Sequence, residues 1–400
     1  MRQSPTLYVH TPFCRAKCRY CAFYSAATGP AGPAPAVLSR YLAALEAEMD
    51  QQAQAFGTAL ALGPAPSLFF GGGTPSLLGT EGLAHVMAAL SQRFPLAPDA
   101  EITLEANPDS AAPELLRAAR TLGVNRLSLG VQSLDDRALA ALGRAHDARQ
   151  AARAFRDARQ AGFTNIGLDL IFGLPGQTPE HWLETLRQAV ALGPEHLSCY
   201  GLTIEPGTPL SRDAAALAAL PDDDAQAEMF LSGAELLADA GYEHYEISNF
   251  AKPGRRCRHN LACWQGRDVL GFGPAAVSTL TCEVRTLRWA NPADLDAWEA
   301  LVLSGRAGQG GREELSAAVC AQEALMLALR TADGLGLDAH QTRTGQDLRS
   351  THAGLLEQLV QAGLADLTPE RLRLTRAGML LSNSIIRALG FESSQDENFS

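Results

Sequence analysis

The sequence predicts an α/β protein: a partial (β/α)6 barrel of parallel strands, followed by a small helical domain with a winged-helix-like pattern. Three observations predict it. Six short apolar runs recur within the first 202 residues, helix-length stretches separate them, and chemically distinctive residues stand directly after one run after another. Strands that alternate with helices build a parallel sheet. In a barrel, the loops at the strand C-termini build the site. A doubly wound open sheet is the alternative.

The strands are expected at Leu7–His10, Ser67–Phe70, Glu101–Glu105, Arg126–Gly130, Thr164–Leu170 and His196–Leu202. Near-uniform apolar runs such as Ser67-Leu-Phe-Phe70 suit strands covered on both faces. Helical stretches lie near 38–55, 80–92, 111–121, 147–161, 179–192 and 223–240, with a further strand at His244–Ser248. The barrel is expected over 1–250. Residues 251–305, rich in glycine and polar residues up to about 282, read as a connecting segment that carries function. The Gly305–Arg312 run reads as a linker. Residues 306–390 read as the helical domain, with helices at Glu313–Thr331, Asp347–Ala362 and Arg376–Leu389 around a short Arg371–Thr375 strand. Residues 391–400 read as a disordered tail.

Composition narrows the function. The chain has 400 residues, a net charge of −11 and only two lysines, Lys17 and Lys252. No basic block of the kind nucleic-acid binding needs is present. No run of eighteen apolar residues suggests a spanning helix, and the N-terminus lacks a signal-peptide core. A cytoplasmic, reducing location is expected, where the eight cysteines are thiols or metal ligands.

The strongest signal is Cys14-x-x-x-Cys18-x-x-Cys21 after the first strand. Three thiolates this close can wrap one face of a [4Fe-4S] cubane, whose full protein shell takes four ligands. No fourth cysteine follows, so one iron stays open to the amino and carboxylate groups of S-adenosylmethionine (SAM). The rival readings are a zinc site or three buried thiols. Structural zinc wants four local ligands, and only His10 is at hand to complete a set. Gly71-Gly72-Gly73-Thr74-Pro75-Ser76 follows the second strand, where glycines let backbone approach a ligand; alone, such a run is more often a tight turn. Arg144 offers a guanidinium suited to a carboxylate, against the plainer reading of a surface arginine. Asp169 sits inside an apolar strand and needs a partner there. His259 and Cys263, in Arg258-His259-Asn260-Leu261-Ala262-Cys263-Trp264, offer an imidazole and a thiol; a loop histidine with ordinary hydrogen bonds is the plainer reading.

On these motifs, with Tyr8-x-His10-x-Pro12-Phe13 ahead of the cysteines, the chain resembles the radical SAM superfamily, within the relatives of oxygen-independent coproporphyrinogen III oxidase. The resemblance covers residues 7 to about 390. It implies that Gly72, Gly73 and Thr74 receive SAM, and that Glu105, Gln132, Arg144 and Asp169, on or just after successive strands, face it or a second SAM. Tyr8 and Tyr20 resemble positions that touch SAM. Two features set the chain apart from the oxidase: Phe23 stands where that enzyme has a further cysteine, and only thirteen residues precede Cys14.

Within the family the chain is most similar to the HemW-type heme chaperones, which carry a comparable His-Asn-x-x-Tyr-Trp segment. That resemblance implies heme as cargo, with His259 as an iron ligand, Trp264 stacking on the macrocycle, and Cys263 in place of the family's tyrosine. An acceptor hemoprotein, one in a membrane included, and a reductant for the cluster are the implied partners. The alternative is an enzyme that cleaves SAM to act on a porphyrinogen or another substrate, or a related methyltransferase. A zinc or regulatory module is a third reading.

Overall fold

The computed structural model describes residues 4–57, 63–282 and 285–390. The expected tail at 391–400 lies outside them. Six strands carry the first part of the chain: β1 Thr6–Thr11, β2 Ala65–Gly72, β3 Leu96–Ala106, β4 Arg126–Gln132, β5 Ile166–Phe172 and β6 His196–Gly201. They pair in parallel and in chain order, β1 to β6. A doubly wound sheet reverses its strand order at a switch point; the succession β1 to β6 does not. The intervening helices are α1 Pro35–Gln52, α2 Gly79–Arg93, α3 Pro113–Thr121, α4 Ala148–Gln160, α5 Pro179–Leu192 and α6 Asp223–Asp239. α1 packs on α2, α2 on α3, α3 on α4, and α5 on α6. That succession of neighbours is the arrangement of a partial barrel.

Local chemistry explains the element boundaries. Proline opens α1, α3 and α5, where its missing N–H costs nothing. Asp147 and Gln150 form a reciprocal capping box at the start of α4, and the Asp222 side chain caps α6. In β5 every residue but Asp169 is buried, which is why its sequence reads as a continuous apolar run rather than an alternation.

The segment from 251 to 282, expected as a connection that carries function, holds regular elements. It carries a helix, α7 Arg258–Trp264, and two strands, β8 Val269–Phe272 and β9 Val277–Cys282, after a short β7 at Asn249–Ala251. β8 pairs parallel to β1 on the side away from β2. β9 returns antiparallel to β8, and β10 Arg285–Ala290 pairs antiparallel to β9. At the other side β7 lies antiparallel to β6. α8, Leu295–Leu303, packs on α1.

Glu48 of α1 fastens the turn after β8. Although fully buried, its carboxylate accepts from Gly273 N (2.7 Å), Asn291 Nδ2 (2.7 Å), Gln52 Nε2 (3.0 Å) and Trp298 Nε1 (3.1 Å). Gly273 has φ +95°, and a Cβ there would stand 2.5 Å from the carbonyl oxygen of His10 in β1. The same oxygen accepts from the Tyr41 hydroxyl at 2.8 Å. The strand that leads into the cysteines is thereby pinned from two sides.

The described residues form two compact units. The first holds nearly everything to Glu314; the second comprises 244–247, 264–266 and Leu315 onward. The second unit contains a three-stranded antiparallel sheet of Leu335–Gly336, Arg371–Leu374 and Ala365–Leu367. Helices Ala317–Ala328, Leu337–Thr344, Ala353–Gln361 and Ser382–Gly390 accompany it, around buried Leu325, Leu356, Leu372 and Ile385.

Candidate functional site

The C-terminal ends of the strands and the loop after β1 wall one cavity of about 670 Å³, within the size range of a small-molecule site. The strand ends bring together residues far apart in the chain. Cys14, Cys18, Cys21 and Tyr20 reach it from the loop after β1; Gly72, Gly73 and Thr74 come from the end of β2. Glu105 and Asn107 come from β3, Gln132 and then Arg144 from β4 and beyond, and Asp169 from β5. Tyr8 of β1 and His259 and Cys263 of α7 also line it. Every residue expected to hold the cluster, SAM or heme borders this space except Trp264, which belongs to the second unit.

The cysteine loop is held at its base by backbone pairing. Phe13–Cys14 bridges to Ala26–Ala27, and Thr28 N donates to Cys14 O at 2.8 Å. The Gly71–Thr74 turn presses directly beneath. Gly73 N donates to Thr11 O at 2.8 Å and Thr74 N to Phe13 O at 2.7 Å. Gly72 has φ +104°, and any Cβ would stand 2.6 Å from the His10 ring. His10 itself bridges Tyr8 Oη (3.1 Å, to Nδ1) and the Tyr24 carbonyl (3.0 Å, to Nε2). A carbonyl only accepts, so Nε2 carries the hydrogen and Nδ1 accepts from the Tyr8 hydroxyl.

Donors surround the thiols. Thr74 Oγ1 donates to Cys14 Sγ at 3.4 Å, and Arg144 Nη1 to Cys18 Sγ at 3.2 Å. Burial, opposed by the Phe23 backbone N–H, pushes the Cys21 thiol up. Three thiols of one loop facing one space, with hydrogen-bond donors to two of them, fit an iron–sulfur cluster. Two buried polar atoms without partners, Ser25 Oγ and Arg144 Nε, belong to residues on the same wall and suit a polar ligand there.

Below the thiols the cavity carries charge. Burial pushes Glu105 up to about 8, and the Asp169 carboxylate adds to this; Arg126 and the Gly72 N–H oppose it. Asp169 is raised too, chiefly by burial, and is held back by Ser198, Arg126 and Ser128, whose Oγ lies 3.1 Å from Oδ1. Gln132 is a strained point: it has φ +64°, and the register between β4 and β5 slips there. Such a bulge turns its side chain toward the cavity at a conformational cost of about 1–3 kcal/mol.

His259 lies on the inner side of the barrel, not in a surface loop. The residue is 6% exposed, and its ring tilts over Phe69 with centroids 4.8 Å apart. Nδ1 sits 2.9 Å from Thr6 Oγ1. Glu101 Oε1 accepts from Arg258 N (2.8 Å) and His259 N (3.2 Å) at the start of α7. Burial, helped by Arg126, pushes the imidazole down to about 3, so it is neutral at any ordinary pH. The Cys263 thiol opens onto the cavity, and the protein walls around it push it up to about 11.

Sequence reasoning missed Asn107 and the fully buried Arg126. Asn107 stood in view beside Glu105. Arg126 opens an apolar strand, a position where arginine draws no notice.

The chain is similar to known proteins along its whole length. The radical SAM superfamily model matches residues 8–189, and the HemN C-terminal domain model matches 315–381. Heme chaperone HemW of Mycobacterium tuberculosis is 37% identical over 96% of this chain and 94% of its own. HemW of Escherichia coli is 41% identical over 69% of this chain and 70% of its own. Among solved structures, coproporphyrinogen III oxidase (HemN) from Escherichia coli, a radical SAM enzyme, superposes with a TM-score of 0.80 at 25% identity. That likeness covers 97% of this chain and 90% of the other.

Proposed function

The chain belongs to the radical SAM superfamily, in the branch of the HemW-type heme chaperones, and from that premise we propose that it binds heme and hands it to an acceptor hemoprotein. The observation that carries this reading is the end-to-end match to the mycobacterial chaperone, which spans the barrel and the C-terminal unit alike. The family implies a [4Fe-4S] cluster and SAM. We assign the cluster to Cys14, Cys18 and Cys21; when bound it supplies one-electron chemistry and an iron open to the amino and carboxylate groups of SAM.

The chain's own residues then divide the work. The Gly72–Thr74 turn offers backbone polar groups at close range. Arg144 Nε is a buried donor without a partner, suited to a SAM carboxylate. Glu105, mostly protonated at neutral pH, can donate a hydrogen bond, whereas Asp169 beside Ser128 and Ser198 suits hydroxyl groups. Tyr8, Tyr20 and Gln132 complete the walls. For heme, His259 is neutral, as an iron ligand must be. Its Nδ1 is engaged by Thr6, so Nε2 is the nitrogen for iron. Cys263 offers a second donor on the same cavity wall. The acceptor is a hemoprotein in the cytoplasm or at the membrane, and a reductant serves the cluster. Among the described residues no helix is long and apolar enough to cross a membrane.

The test is anaerobic reconstitution with iron and sulfide, then titration with heme. The wild type should develop a shifted Soret band, and His259→Ala should lose it while keeping the cluster absorbance. An unchanged Soret band in the wild type removes the chaperone reading. An identical titration in His259→Ala moves the heme elsewhere. The structural likeness to the oxidase favours a second reading, a SAM-cleaving enzyme acting on a tetrapyrrole or other substrate. Release of 5′-deoxyadenosine together with a modified tetrapyrrole would establish it.

A further inference from the structure

Asn107 stands at the end of β3 and is assigned no ligand above. Its backbone is locked: Ser110 N and Ala111 N donate to its carbonyl at 2.9 and 3.0 Å, and Ser110 Oγ accepts from its N–H at 3.2 Å. Its side chain joins the two groups that donate to the cluster thiols. Oδ1 accepts from Arg144 Nη2 at 2.6 Å, and Nδ2 donates to Thr74 Oγ1 at 3.0 Å. The amide can face only one way, because a guanidinium has no acceptor. Thr74 Oγ1 receives the amide hydrogen, which turns its own hydrogen toward Cys14 Sγ, 3.4 Å away. Arg144, anchored through Nη2 to Asn107 Oδ1 and to Gly130 O (2.7 Å), directs Nη1 at Cys18 Sγ, 3.2 Å away. A Cβ at position 130 would stand 2.8 Å from Asn107 Oδ1, so the belt closes only over glycine. From Asn107 outward to Cys14, each hydroxyl or amide hydrogen points toward sulfur.

We propose that Asn107 is a positioning residue which aims Thr74 and Arg144 at two of the three cluster thiolates and thereby raises the reduction potential of the cluster. Hydrogen bonds to ligating sulfur stabilise the more negative, reduced cluster. The inference rests on the cluster assignment above and not on heme binding.

The test uses the full chain, reconstituted anaerobically, with the reduced cluster followed by electron paramagnetic resonance through a reductive titration. Asn107→Leu loses both contacts. Asn107→Asp keeps an acceptor for Arg144, cannot donate to Thr74, and adds negative charge near the sulfurs. Both variants should titrate at a lower potential than the wild type. Adding Thr74→Val to Asn107→Leu should lower it less than Thr74→Val does alone. Wild-type potential and spectrum in both Asn107 variants would overturn the proposal. Failure of both to load a cluster, with wild-type circular dichroism, would overturn it, because the residue would then build the site rather than set its potential. Loss of the fold in both would overturn it, because the residue would then be structural. If the wild type itself takes up no cluster, the assignment of the three cysteines fails first.

Discussion

Gly73→Ala tests how tightly the turn after β2 is fitted to the cysteine loop. A Cβ at this position would meet Phe13 O at 2.7 Å and Thr11 O at 2.8 Å, whereas ordinary contact begins near 3.4 Å. Relief therefore needs a displacement of about 0.7 Å. Both obstructing atoms are backbone carbonyls, and both accept hydrogen bonds from this turn, from Gly73 N and Thr74 N. The turn cannot back away without stretching them. Overpacking of this kind costs roughly 1–3 kcal/mol, and one weakened backbone bond adds about 1 kcal/mol. The expected loss is ~2–4 kcal/mol for the first unit. Urea unfolding of the metal-free protein, followed by circular dichroism, should show a lower midpoint at unchanged slope. The same displacement moves Thr74 away from Cys14, so iron and sulfide uptake should fall with it. A variant with the wild-type midpoint and full cluster loading would refute the reasoning.

Two further outcomes follow from buried carboxylates. Burial pushes Glu48 up to about 7, against four hydrogen-bond donors that favour the anion; Glu48→Gln replaces an oxygen that accepts two of those donors with an amide that donates, and urea unfolding at pH 8 should show a loss of ~3 kcal/mol. Equal stability of the two proteins would mean that desolvation outweighs the donors. Glu105 has a folded-state value near 8 against an ordinary 4.5. A raised carboxylate contributes stability that is present below pH 4.5 and lost as pH rises through 8. The urea midpoint of the metal-free wild type should decline across that window, the decline should flatten in Glu105→Gln, and parallel profiles would count against the assignment.

The barrel was legible because its strands are buried on both faces and separated by helices with plain start signals, such as Asp147 with Gln150 and the prolines opening α1, α3 and α5. The cysteines stood out by type and spacing, whereas the Gly71–Thr74 run gained meaning only from the family resemblance. What stayed hidden depends on distant pairing. β8 is four residues, one of them glycine, and its pairing with β1 joins residues more than 260 positions apart. α7 is a single short helix whose first N–H groups are satisfied by Glu101, 157 and 158 residues away. Asp169 stood out because it interrupts an apolar strand; Arg126, at the first position of its strand, interrupts nothing.

The pairing of β1 with β8 also bears on the order in which the molecule is assembled. Residues 6–9 find one of their two neighbours only when residues 269–272 exist. A nascent chain that stops short of that point leaves β1 as an open edge, able to recruit any passing strand, with three thiols at its end. Such long-range closure is slow and exposes the chain to aggregation. On the cluster assignment proposed above, loading should then follow the synthesis of roughly two thirds of the polypeptide. Fragments cut before residue 272 should precipitate rather than take up iron.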